Sequence, residues 1–158
     1  MMNDDDPTEV RLDFDSLAPR FSAAMNRLDA VAGVGLDPLL RELVRLHAST
    51  INGCAYCIDM HSKDARAKGE TQQRLDSLGD WRETAWFTPA ERAALALTEA
   101  VTLLHVDKVP RSVMDEASRY FDPEQLAQLV SLLVTVNAWN RIGVTTRCWE
   151  PGSYEVES

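Results

Sequence analysis

The chain is poor in cysteine and histidine, with three of each in 158 residues. Cys54 and Cys57 stand three apart, and Cys148 is far from both. With no second CxxC, a zinc site would have to draw two further ligands from Cys148, His47, His61 and His105. Basic residues are also scarce. Sixteen Lys and Arg face 25 Asp and Glu, a net charge of −9, which excludes nucleic-acid or anionic-membrane binding driven by bulk electrostatics. No apolar run reaches the length of a membrane-crossing helix. A signal-peptide pattern is missing too, since Met1 to Pro7 is acidic and polar. The expectation is a cytoplasmic protein without a membrane partner. In such a reducing compartment, a CxxC is redox-active or metal-binding sooner than a structural staple. Period-two runs of β-branched residues, internal repeats and low-complexity segments are absent as well.

What is there is a helical sequence with 45% hydrophobic residues, enough for a globular core. Residues 1–15 read as an N-terminal arm, and residues 16–158 as one all-α domain of about seven helices. The first helix covers Pro19 to Val31. Asp37-Pro38 is a cap followed by a first-turn proline, opening a second helix that Asn52-Gly53 stops. The third starts near Cys54 and runs through Ala67. Thr71 caps a short fourth helix ending at Leu78. Thr88-Pro89-Ala90-Glu91 is a capping box for a fifth helix through Leu104. Pro110 to Tyr120 forms a sixth, and Asp122-Pro123 opens a long seventh to about Arg147.

The fifth and seventh helices carry apolar residues all round, from Ala93 to Val101 and from Leu126 to Trp139. A helix without a polar face is buried on every side. A domain this small cannot easily bury two of them, which predicts helix packing between subunits of a homo-oligomer; the blander alternative is a central helix pair in a monomeric bundle.

The chemistry-bearing residues gather around the CxxC. A helical i,i+3 pair has Cα atoms roughly 5 Å apart, within disulfide range. At a helix start, unpaired N–H groups and the positive helix end lower a thiol pKa. His61 follows Cys57 by four residues and projects from the same face. Glu42 and His61 lie eleven and eight residues from Gly53, roughly 16 Å and 12 Å along an antiparallel hairpin, and so nearly level. Glu42 is then placed to hold the imidazole and fix its tautomer. The blander alternatives are a surface charge for Glu42 and a satisfied core histidine for His61. His47 and His105 show no matching partners and read as ordinary residues. Tyr56 and Trp139 read as packing or gating residues.

At these residues the chain resembles the AhpD-like alkylhydroperoxidase branch of the carboxymuconolactone decarboxylase family. Glu42 to Arg45 and Ile51 to Arg66 carry the resemblance, with weaker matches at Trp81 to Glu83, Phe87 to Leu95 and Asn137 to Arg141. The resemblance implies an all-helical fold assembled as trimers or hexamers, and peroxide reduction with no haem, metal or other cofactor. It implies that Cys57 attacks the peroxide and that Cys54 gives a proton and closes the disulfide, with Glu42 and His61 as the proton relay. The family's characterised peroxidase has a histidine where this chain has Tyr56.

The expectation is therefore a thiol-dependent peroxidase with a hydroperoxide substrate and an external dithiol electron donor. The enzymatic rival is a decarboxylase or lactone-processing activity in which the thiols are incidental. The other is a non-enzymatic, redox-responsive oligomeric binding protein. Turnover with peroxide and a dithiol, as against a single stoichiometric oxidation, separates enzyme from sensor.

Overall fold

The structure, a computed structural model, describes Asp6 and residues 8–157. Met1 to Asp5 and Pro7, much of the expected arm, lie outside the described residues. Within them the chain is helical, with no strand. The elements are α1 (Phe14–Leu17), α2 (Pro19–Val31), α3 (Pro38–Asn52), α4 (Ala55–Ala67), α5 (Gln72–Asp76), a 3-10 helix (Leu78–Glu83), α6 (Pro89–Thr102), α7 (Leu104–Asp107), α8 (Arg111–Ala117) and α9 (Pro123–Thr146).

The long helices begin and end where their caps dictate. The Asp37 carboxylate accepts from the backbone N–H groups of Leu39 and Leu40, and Pro38 fills the first position. Gly53 closes α3 at φ 68°, a conformation cheap only for glycine. Reciprocal capping boxes open α6 through Thr88 and Glu91, and α9 through Asp122 and Gln125. The seven expected helices are present, and three short elements add to them. The predicted fourth helix breaks after Asp76 into a 3-10 turn, and the fifth ends at Thr102, ahead of the separate turn α7. Four-residue α1 falls at the edge of the expected arm, and the backbone N–H groups of Arg11 and Leu12 bond to the Thr146 carbonyl at the end of α9.

Helix α3 is the axis, packed on α4, α6 and α9. It feeds two cores. Leu40 and Val44 join Ala94, Leu97, Leu129, Leu132 and Leu133. Leu43 and Leu46 join Ala65, Leu78, Trp81, Phe87 and Leu95. Leu43 is fully buried, so truncation to Ala costs about 2–5 kcal/mol. Helix α6 lies between the cores and is covered by its own chain, so its apolar circumference needs no second subunit. Helix α9 differs, leaving Val130 and Val134 exposed, as α2 leaves Phe21, Leu28 and Val31. Among the described residues no helix is long and apolar enough to cross a membrane.

Candidate active site

The α3–α4 hairpin turns at Gly53, and Cys54 is the N-cap of α4. Cys54 and Cys57 form a disulfide with Cα atoms 5.3 Å apart, and both residues are buried. One turn on, His61 is buried as well. Its Nδ1 lies 3.1 Å from Glu42 Oε2. The four residues singled out from the sequence thus occupy one hairpin, with Glu42 and His61 level across it.

The pair is held by charge. Glu42 Oε1 meets Arg45 Nη1 at 3.3 Å and Lys68 Nζ at 3.2 Å, and Arg45 reaches on to Asp29 at 3.4 Å. Burial pushes the Glu42 carboxyl upward. The hydrogen bond from His61, followed by the charges of His61, Arg45 and Lys68, outweighs burial and holds it at about 2. Glu42 is therefore a carboxylate at neutral pH, an acceptor only. His61 must donate through Nδ1–H, which leaves Nε2 as the nitrogen free to exchange a proton.

Cys57 and His61 line one cavity of about 720 Å³, together with Arg45, Tyr56, Met60 and Trp139. The chain after α9 forms part of its wall. Trp149 packs edge-on to Trp139 at 5.7 Å and against Tyr56 at 5.5 Å, and its Nε1 donates to Asp15. Tyr154 Oη donates to Asp64 on α4, and Lys63 Nζ donates to the Tyr154 carbonyl. Burial pushes the Tyr56 phenol up, as do Asp59, Asp15 and Asp64, so it stays a protonated donor at neutral pH. Tyr56 and Trp139 are cavity-wall residues.

Asparagines fix the register of α9 against the hairpin. Asn52 Nδ2 donates to Asn137 and Asn140, each at 3.0 Å, and Asn140 donates to Ser49. Gly143 follows on α9, where a Cβ would stand 3.0 Å from Cys54 Sγ.

Sequence reasoning missed Lys68, Trp149 and Tyr154, which reach the site from the end of α4 and from the chain after α9. Arg45 was legible, one turn after Glu42 on the same helix. The reading of His47 as a residue without a partner is corrected. Its Nε2 lies 3.0 Å from Glu99 Oε1, fifty-two residues on, across the α3–α6 contact. His105 is exposed on α7. Glu42, His61 and Asp64 could each offer one atom to a cation, within 4.8 Å of one another, but Arg45 and Lys68 already occupy Glu42. As a disulfide, Cys54 and Cys57 offer a zinc ion no thiolate.

The fold and site define a class: an all-helical protein with a helix-start CxxC and a buried Glu–His pair on one hairpin. The chain belongs to the carboxymuconolactone decarboxylase family, whose model matches residues 19–100. It is 43% identical over 104 residues to the uncharacterized protein YdfG of Bacillus subtilis, covering 66% of this chain and 71% of that one. It is 37% identical over 51 residues to the alkyl hydroperoxide reductase AhpD of Bradyrhizobium diazoefficiens, covering 32% of this chain and 28% of the relative. Among solved structures, a protein of unknown function from Agrobacterium tumefaciens, described as a candidate AhpD antioxidant defence protein, superposes with a TM-score of 0.86. It is 31% identical, and the match covers 94% of this chain and all of that one. The fold is thus AhpD-like.

Proposed function

We propose that the protein reduces hydroperoxides through a Cys54–Cys57 dithiol/disulfide cycle. The observation that carries this reading is the shared cavity: Cys57 lines it with His61, and His61 is held by an ionised Glu42. In the reduced protein the Cys57 thiolate attacks the distal peroxide oxygen and the O–O bond breaks. The leaving alkoxide takes a proton, relayed from Cys54 or His61, and departs as alcohol. Cys57 is left as a sulfenic acid, oxidised by two electrons. Cys54 sulfur then attacks Cys57 sulfur, water leaves, and the disulfide closes. Glu42 keeps the His61 ring in one tautomer through both proton movements. An external dithiol returns the two electrons, which suits a reducing compartment such as the cytoplasm. AhpD-named relatives support a peroxidase-related role.

The test is hydroperoxide consumption with dithiothreitol as donor. Wild type turns over repeatedly, and Cys57→Ser loses turnover altogether. A single stoichiometric oxidation of wild type would instead favour a redox sensor.

We further propose that the working form is a homo-oligomer, a trimer or hexamer, joined through the open apolar faces of α2 and α9. Light scattering at micromolar concentration then reports several times 17.7 kDa. Charged substitutions at Phe21 and Val134 lower that mass, and a stable wild-type monomer rejects the idea.

A further inference from the structure

The two cysteines of the disulfide line different cavities. Cys57 lines the larger one with His61, whereas Cys54 does not line it. Cys54 lines a second cavity of about 430 Å³ with Gly53, Ala55, Gly143, Val144 and Arg147, and neither Cys57 nor His61 lines that one. Cys54 Sγ packs against Gly143 of α9, a residue of the second cavity's lining, where a Cβ would stand 3.0 Å from the sulfur. Tyr56 borders both cavities.

Thiol–disulfide exchange is directional. The entering thiolate attacks one sulfur in line with the bond that breaks, and the far sulfur leaves. A thiolate arriving through the second cavity meets Cys54, with Cys57 as the leaving group. We infer that the second cavity is the reductant's entry, so that peroxide and electron donor use opposite faces of one disulfide. This inference rests on the dithiol cycle proposed above.

The steps balance. One donor thiolate attacks Cys54 Sγ and forms a mixed disulfide. The S–S electron pair departs on Cys57, the sulfur on the His61 side, which takes a proton there. The donor's second thiolate attacks its own sulfur in the mixed disulfide, releasing Cys54, which takes the second proton. The donor ends as a disulfide, having given two electrons and two protons. Cys54 is 2% exposed, so a donor thiol reaches it through the cavity and not from the open surface.

The test separates the two half-reactions by rapid mixing. Val144 and Ala55 are exposed residues of the second cavity, and Ala23 is an exposed residue of the first. Val144→Trp and Ala55→Trp should slow reduction of the oxidised protein by dithiothreitol at least tenfold. Oxidation of the pre-reduced variants by cumene hydroperoxide should stay within twofold of wild type. Ala23→Trp should do the reverse. A monothiol probe, 2-mercaptoethanol, quenched in acid, should be found by tandem mass spectrometry on Cys54. Unchanged reduction in both second-cavity variants, or a probe trapped on Cys57, overturns the inference. A wild type that dithiothreitol reduces normally but that never consumes peroxide overturns the peroxidase reading instead and leaves the entry route standing on its own measurement.

Discussion

Among the described residues two histidine–glutamate pairs spring from α3, one buried and one part-buried, and their surroundings differ. Glu42–His61 joins α3 to α4, and His61 lines the cavity that Cys57 lines. His47–Glu99 joins α3 to α6, and the carboxylate is saturated with donors. Glu99 Oε1 accepts from His47, from Trp81 Nε1 at 2.8 Å and from Arg82 at 2.9 Å, and Arg82 lies over the Trp81 ring at 4.0 Å. His47 Nδ1 is buried with no hydrogen-bond partner among the described residues, and His47 lines neither cavity. In both pairs burial pushes the carboxyl up, and hydrogen bonds and charge bring it down to about 2. The electrostatics are alike. What differs is access: His61 lines a cavity with Cys57 and His47 does not, so on the proposed function only the first pair handles protons.

The largest effect that would break this comparison is on turnover. Glu42→Gln removes the anchor of His61 and should lower peroxide turnover about 100-fold or more, the scale of general acid–base contributions. His61→Ala should cost a similar factor, and the double variant little more than either. Glu99→Gln should lower the melting temperature while turnover of the folded enzyme stays near wild type. Equal activity losses at Glu42 and Glu99 would erase the distinction.

Acid should find the two pairs alike. A carboxyl held at about 2, against an ordinary 4.5, contributes stability that is complete above 4.5 and lost as pH falls through 2. For nearly fully buried Glu42 the contribution is on the order of 3 kcal/mol, and it is smaller for the more exposed Glu99. Denaturant titrations from pH 5 to pH 2 should show wild type losing stability more steeply than Glu42→Gln or Glu99→Gln. Parallel curves would mean that neither carboxylate is held down.

The smallest effect falls on the His47–Glu99 pair. His47→Leu removes the orphaned nitrogen and leaves Glu99 with Trp81 and Arg82, so it should cost about 1 kcal/mol. Glu99→Leu strands both the indole N–H and His47, and should cost about 3 kcal/mol. Chemical denaturation measures both, and the reverse order would show that His47 carries the contact.

Much of the fold was legible because its signals are local. Proline after an aspartate or threonine cap set the starts of α3, α6 and α9, and Gly53 set the turn. The level placement of Glu42 and His61 followed from helix rise alone, since one tight turn leaves a hairpin no other register. The short turns were less legible. In the 3-10 stretch Leu78–Glu83, Trp81 is fixed by its bond to Glu99 and by Arg92, whose guanidinium donates to the Trp81 carbonyl. The apolar girdle of α6 was visible, but periodicity alone did not choose between cover by its own chain and cover by another subunit.

By itself, then, the sequence determined the helical class, the hairpin and the grouping of Cys54, Cys57, His61 and Glu42, because spacing along a helix converts directly into direction and height. Only the tertiary structure decided that His47 meets Glu99, that Trp149 and Tyr154 wall the cavity, and that Cys54 and Cys57 line separate cavities. Those relations join residues 52, 93 and 89 positions apart, such as His47 to Glu99, Tyr56 to Trp149 and Cys54 to Gly143. Contacts of that span depend on how helices dock against α3, and docking follows from the shape of the whole packed core rather than from any local pattern.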